Sequence, residues 1–256
     1  MLKLIRPIVL LLCVMPYVFA ETITINAEDD WAPFSSITAN KNSAEGLSVD
    51  LVRAAFATQG IEVRFMPVPF ARCLFEVEHG QAVACFNASI TEENKEKFLW
   101  PSLPLLSEGL SILALSETTA QNLVPKDLEG HVVGTTNGYT YPTSLMRNKK
   151  ISKDVSRTDA VQLKKLMSRR IQYAIINTTP AQLMINADPA MRGKIKIVGS
   201  VELSLLYMNF SKKHPDAPRL LAAFEKGLKT IQSNGTYARI RRDFNERLGL
   251  LPQYGK

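Results

Sequence analysis

Strand-like and helix-like segments alternate along residues 22–86 and again along residues 110–186, and this alternation most narrows the folds open to the chain. Thr22–Ala27 alternates apolar and polar residues as a half-buried strand does. Gly46–Gln59 (GLSVDLVRAAFATQ) repeats apolar residues at helical spacing, and Gly60 ends the run. Strand Ile61–Phe65, helix Phe70–Glu78 and strand Val83–Phe86 follow. Beyond Pro101-Ser102-Leu103-Pro104 a second set begins: strands Leu110–Leu115 and Val132–Thr135, helix Ala160–Arg169, strand Tyr173–Ile176 and helix Pro180–Asn186. Strand Leu205–Phe210 and helices Pro218–Asn234 and Gly235–Arg247 close the chain. Such alternation predicts an α/β protein whose parallel sheets are flanked by helices.

The first residues read as an export signal. Lys3 and Arg6 precede the apolar run Ile8–Met15, and Val18-Phe19-Ala20 ends on a small residue before polar Glu21. A membrane anchor needs about 20 uninterrupted apolar residues, and Pro16 interrupts this run too early. Cleavage after Ala20 leaves 236 of the 256 residues, enough for one large or two small domains. It also removes two of 31 basic residues, so 29 face 24 acidic ones, a formal charge of about +5. The basic clusters (Arg147–Lys150, Lys164-Lys165, Arg169-Arg170, Arg239–Arg242) are scattered among acids, which argues for solvated helix faces and against nucleic acid. His79, His131 and His214 stand far apart with no paired ligands, so neither a metal nor another cofactor is expected.

The chemistry concentrates in Ala82–Pro101 (AVACFNASITEENKEKFLWP), where a strand-like run ends in small polar residues ahead of a charged, helix-like turn. In open α/β sheets a ligand sits beyond the carboxyl ends of the strands, where helix N-termini offer unpaired N–H groups. Ser89-Ile90-Thr91 resembles the Ser/Thr-x-Thr signature of the bacterial extracellular solute-binding proteins of the polar amino-acid type. Asn94 stands where that signature carries an arginine. Further pieces of the resemblance are GLSVDLVRAA around Asp50, Gly130–Gly138 (GHVVGTTNG), and the closing helices with Leu228, Gly235, Tyr237 and Ile240.

The resemblance implies a two-lobed, type 2 periplasmic binding fold. Residues 21–108 and 205–256 form the first lobe and 109–204 the second, with crossover segments near Leu105–Gly109 and Gly199–Leu205 as the hinge. It implies a monomer in the periplasm that closes on a small-molecule ligand, with an ABC permease or a membrane receptor as partner. Cys73 and Cys85, an even pair once Cys13 leaves with the leader, fall on a helix and strand that pack together in this fold. They are either bonded or two small buried residues.

The resemblance also nominates the pocket. Glu28-Asp29-Asp30-Trp31-Ala32-Pro33-Phe34 matches an acidic-x-x-aromatic-x-Pro-aromatic loop, making Trp31 either a stacking residue or a cap on the lobe's core, Phe34 a further ligand-binding candidate, and Glu28 either a partner for a ligand amine or a solvated loop charge. Pro69-Phe70-Ala71-Arg72 resembles a cleft-facing helix start, with Phe70 and Arg72 as candidates; Glu76, four residues on, is Arg72's alternative partner. Asn87, Ser89, Thr91 and Asn94 come from the signature loop. Thr136, Asn137 and Tyr139 follow one strand of the second lobe, and Asn177 and Thr178 follow the next, where amino-acid binders carry an aspartate. Both charged anchors of the amino-acid binders are thus neutral here. A charge-assisted hydrogen bond is worth about 1.5–3 kcal/mol, so an ordinary free amino acid is not the expected guest. Transport is the leading expectation, a stand-alone sensor or accessory binder the second, and a periplasmic dehydratase-like enzyme a distant third; no catalytic triad or phosphate loop stands out.

Overall fold

The computed structural model describes residues 21–249, so the expected leader and residues 250–256 lie outside the described residues. The chain opens with β1 (Glu21–Glu28), a small antiparallel sheet of β2 (Asp30–Trp31), β3 (Ser35–Ile37) and β4 (Ala44–Glu45), then α1 (Leu47–Ala57). β5 (Ile61–Val68) pairs parallel with β1, and α2 (Phe70–Glu78), β6 (Ala84–Ala88) and β7 (Phe98–Leu99) follow. Next come β8 (Leu106–Leu115), β9 (Val132–Thr136), α3 (Thr143–Arg147), β10 (Ser152–Ser156), α4 (Asp159–Met167), β11 (Tyr173–Asn177) and α5 (Thr178–Ala187). A 17-residue strand, β12 (Ile195–Ser211), leads to the closing helices α6 (Ala217–Ser233) and α7 (Thr236–Arg247).

This is the two-lobed α/β architecture. One core gathers β1, β5, β6, α1 and α6 around Phe56, Phe86, Phe210 and Phe224, all at 0% exposure. Gly227 lets α6 approach α1 closely, since a Cβ there would lie 2.1 Å from the Ala55 carbonyl oxygen. The other lobe buries both faces of its sheet, with Ile112, Val133 and Ile175 on one side and Leu113, Leu163 and Ile176 on the other. α4 starts where the Thr158 side chain accepts the Val161 N–H, satisfying one of the donors a helix start leaves free.

Three local expectations are corrected. The sheets are mixed, not purely parallel, because β8 and β12 run antiparallel to their neighbours. β10, reading SKDVS, has too little apolar character to signal a strand; it holds by pairing with β9 at the sheet edge. Residues 92–97 form successive turns rather than a helix. Asn94 explains why: its Oδ1 accepts the Thr91 N–H at 2.7 Å and its Nδ2 donates to the Ser89 carbonyl at 2.9 Å, cinching the loop on itself.

The two expected crossover segments are parts of β8 and β12, hydrogen-bonded to each other from Leu106–Leu206 up to Leu115–Ile195 with bulges near Gly199 and Ser200. Cys73 of α2 and Cys85 of β6 form a disulfide with Cα atoms 6.0 Å apart.

Candidate functional site

The carboxyl end of β1 delivers Glu28 into the cleft, and the small sheet that follows folds Trp31 back over it. Alternation along β1 buries Ile23 and Ile25, and Asn26–Glu28 are buried as well. Glu28 is therefore 4% exposed. Across the cleft, the chain leaving β9 turns at Gly138 (φ 77°) and presents Tyr139, whose hydroxyl donates to Glu28 Oε1 at 2.7 Å. Tyr139 also stands edge-on to Phe70, with ring centroids 5.6 Å apart. Nearby, the Ser89 N–H donates to Thr140 Oγ1 at 2.9 Å, and Arg147 pairs with Glu93 at 3.0 Å. These contacts close the lobes around a cavity of about 30 Å³, room for one or two waters.

Of the residues nominated from sequence, Glu28, Trp31, Phe70, Asn87, Ser89, Tyr139 and Asn177 line that cavity. Leu110, Thr140, Tyr141, Ser204 and Leu206 join them. Thr140 and Tyr141 follow directly on the nominated Tyr139, whereas Ser204 and Leu206 come from β12, whose apolar run gave no sign of facing a cleft. Thr91 lines a wider cavity of about 270 Å³ at the cleft mouth, with Lys95, Glu202 and Thr143; Ser89 belongs to both cavities.

The remaining nominees sit elsewhere. Phe34 lies beneath Trp31, ring centroids 4.6 Å apart, and stacks on Phe244 of α7, so it is core. Arg72 is exposed and donates from Nε to Glu76 Oε1 at 2.6 Å, while Asn26 holds the other oxygen. The i, i+4 spacing on one helix face wins over the cleft. Asn94 is spent on its own loop. Asn137 is exposed, Thr136 turns toward Asp159, and the Thr178 hydroxyl meets Ser111 at 2.7 Å behind the cavity wall.

Asp159, the first residue of α4, is the residue the sequence reading missed. It accepts the Thr136 hydroxyl and is 6% exposed. Its only advance signal was position, an acid after the capping Thr158 that reads as ordinary helix-start charge. Burial pushes the Asp159 carboxyl up from an ordinary 3.8 to about 7. Burial likewise raises Glu28 well above the carboxylate range, with neighbouring Asp159, Asp29 and Asp30 adding to the effect and the Tyr139 hydrogen bond opposing it. Among the described residues, those lining the cavity include no arginine, lysine or histidine.

Several polar groups at the cavity lack partners. Trp31 Nε1, Asn87 Nδ2 and Ser89 Oγ are buried and make no hydrogen bond with any of the described residues. Asn87 also holds a left-handed backbone (φ 74°), fixed by Ser48 donating to its Oδ1 at 2.6 Å. An unmade hydrogen bond on a buried group costs about 1–3 kcal/mol, and such strain and dissatisfaction gather where a guest is meant to complete the structure. Among the described residues, no cluster of three or more His, Cys, Asp or Glu is arranged to hold a metal.

Gly138 gives a direct handle on closure. A Cβ built there would lie 2.6 Å from the Ala71 Cβ across the cleft. Gly138→Ala is expected to wedge the lobes apart, enlarging the radius of gyration in X-ray scattering and weakening any guest about tenfold. The Ala71 Cα and N would also lie within 3.3 Å of that Cβ, so the backbones themselves must part; if the variant scatters like the wild type, the contact does not govern closure.

A cleft of partly unsatisfied polar groups, closed between two lobes that share a paired-strand connection, defines a two-lobed solute-binding protein. The chain belongs to the bacterial extracellular solute-binding proteins, family 3, whose model matches residues 23–247. No curated protein sequence matches it. Among solved structures it is similar to an ancestral arginine-binding protein bound to arginine (TM-score 0.74, 21% identity, 87% of this chain and 97% of that one). It is similar too to a histidine kinase sensor domain with similarity to periplasmic binding proteins (TM-score 0.74, 20% identity, 87% and 95%). A third likeness is to an ABC uptake transporter substrate-binding protein from Streptococcus pneumoniae with bound histidine (TM-score 0.73, 18% identity, 87% and 92%). Among the described residues, no helix is long and apolar enough to cross a membrane.

Proposed function

We propose that this protein is exported by residues 1–20 and captures a small polar solute in the periplasm between a first lobe (21–108 and 205–256) and a second (109–204), for delivery to an ABC permease. The observation that carries this is the interlobe cavity, where Trp31, Asn87 and Ser89 leave buried polar atoms without partners. The cavity of about 30 Å³ holds no more than one or two waters, so the guest enters an opened cleft and the lobes then shut on it less far than here; its contacts to both lobes favour that closed state. The role is binding, without chemistry on the guest. A second reading, a sensory binder that touches a membrane receptor, is favoured by the likeness to a kinase sensor domain.

A thermal-shift screen of the exported protein, its N-terminus confirmed at Glu21 by mass spectrometry, tests the reading across amino acids, polyamines, organic acids and short peptides. A ligand at a hundred times its dissociation constant adds about 2.7 kcal/mol to the folded state, several degrees of shift. No shift from any class, with scattering profiles unchanged throughout, would overturn it.

A further inference from the structure

The cavity's charge constrains its guest further, on the reading that the cleft binds a solute. Two acids, Glu28 from one lobe and Asp159 from the other, are each at least 94% buried at or behind the cavity. Among the described residues their side-chain partners are the neutral hydroxyls of Tyr139 and Thr136. The surrounding wall is aromatic: Trp31, Phe70, Tyr139 and Tyr141 all line the space. Tyr139 and Tyr141 lie 6.5 Å apart. Aromatic faces and a buried carboxylate are the combination that draws an ammonium out of water, because the ring quadrupole and the acid both present negative potential to it.

The unpartnered groups bear on the same point. Trp31 Nε1 and Asn87 Nδ2 are donors that ask for an oxygen or nitrogen acceptor on the guest, and Ser89 Oγ can donate or accept. None carries charge. An anionic guest would enter a site that already holds two acids and whose described lining residues offer no cation to offset a third; Asn94, where the family signature carries an arginine, is committed to Thr91 and Ser89.

We propose that the guest is an amine cation without a carboxylate but with a neutral oxygen or nitrogen acceptor for Trp31 and Asn87, its ammonium placed against Glu28 and the aromatic wall, with Asp159 as a positioning acid acting through Thr136. Burial keeps both acids inclined to hold protons. An arriving cation favours their ionised forms, so binding near pH 6 releases protons to the buffer.

Isothermal titration calorimetry on the mature protein tests this with amines that keep a neutral acceptor, set beside the amino acids from which they differ by one carboxyl group: ethanolamine and serine, tyramine and tyrosine, histamine and histidine. Succinate and glucose serve as anionic and neutral probes. At least one amine is expected to bind tenfold or more tighter than its amino acid, with a binding heat at pH 6 that varies with the buffer's ionisation enthalpy. Glu28→Gln should weaken that amine at least tenfold. Asp159→Asn, at a residue outside the cavity wall, should lower the number of protons released. Amino acids that match or beat their amines in every pair, or preferential binding of succinate or glucose, would overturn the proposal and leave the solute-binding reading intact. Silence from every probe overturns the amine proposal, and failure of the wider screen as well would remove the binding reading beneath it.

Discussion

Set against an Asp159→Asn variant, the wild-type protein is expected to lose about 3–4 kcal/mol of folding stability between pH 4 and pH 7.5. Asp159 has an ordinary value of 3.8 when the chain is unfolded and about 7 when buried. Between those values the folded state keeps a proton that the unfolded state gives up. The stabilisation is therefore complete below about pH 4, fades as the pH rises through 7, and is gone above it. Glu28 acts in the same direction. The charges bearing on Asp159 do not offset this: Asp30 raises it further, Thr136 lowers it through a neutral hydrogen bond, and Arg157 acts on Asp30. Exposed pairs such as Glu21–Arg219 and Glu117–Arg169 have lowered carboxyls and pull the opposite way, which is why the variant is the reference. Urea denaturation of both proteins at pH 4, 5.5 and 7.5 measures the effect. Parallel pH profiles would show that Asp159 titrates normally in the fold.

Removing the Cys73–Cys85 bond is expected to cost about 3 kcal/mol, since closing a loop of this size withholds roughly that much conformational entropy from the unfolded chain. Both cysteines have 0% exposure, and the Cys73→Ala/Cys85→Ala pair keeps small apolar residues in the Val68–Val77–Phe98 cluster. The bond also matters locally. It ties α2, which begins at Phe70, to β6, which ends at Asn87 and Ala88, so two cavity-lining residues lose a covalent reference. The denaturation midpoint should fall and ligand affinity should drop with it. An unchanged midpoint would mean that packing alone holds α2 on β6.

The fold was legible because its signals are local and repeated. Apolar spacing located every helix longer than eight residues within about two positions, and the glycines at 46, 60 and 235 marked their limits. β10 and the full length of β12 were not legible, since edge pairing and a strand shared between two lobes are decided by distant partners. The site divides in the same way. Glu28, Trp31, Phe70, Asn87, Ser89, Tyr139 and Asn177 follow the ends of strands or start a helix, and lie where the cleft must be. Arg72, Phe34 and Asn94 lie off the cavity because each has a nearer partner, in Glu76, Phe244 and its own loop. Asp159 was hidden by the reverse effect, an acid whose place looked like routine capping until burial gave it another character.

Among the described residues the chain passes between its two cores only along β8 and β12. The five successive pairs from Glu202–Leu110 to Leu206–Leu106 are regular, with bulges just beyond. A laddered pair of strands bends and twists more readily than it slides, so opening and shutting of the cleft is expected to follow the curvature of these two strands.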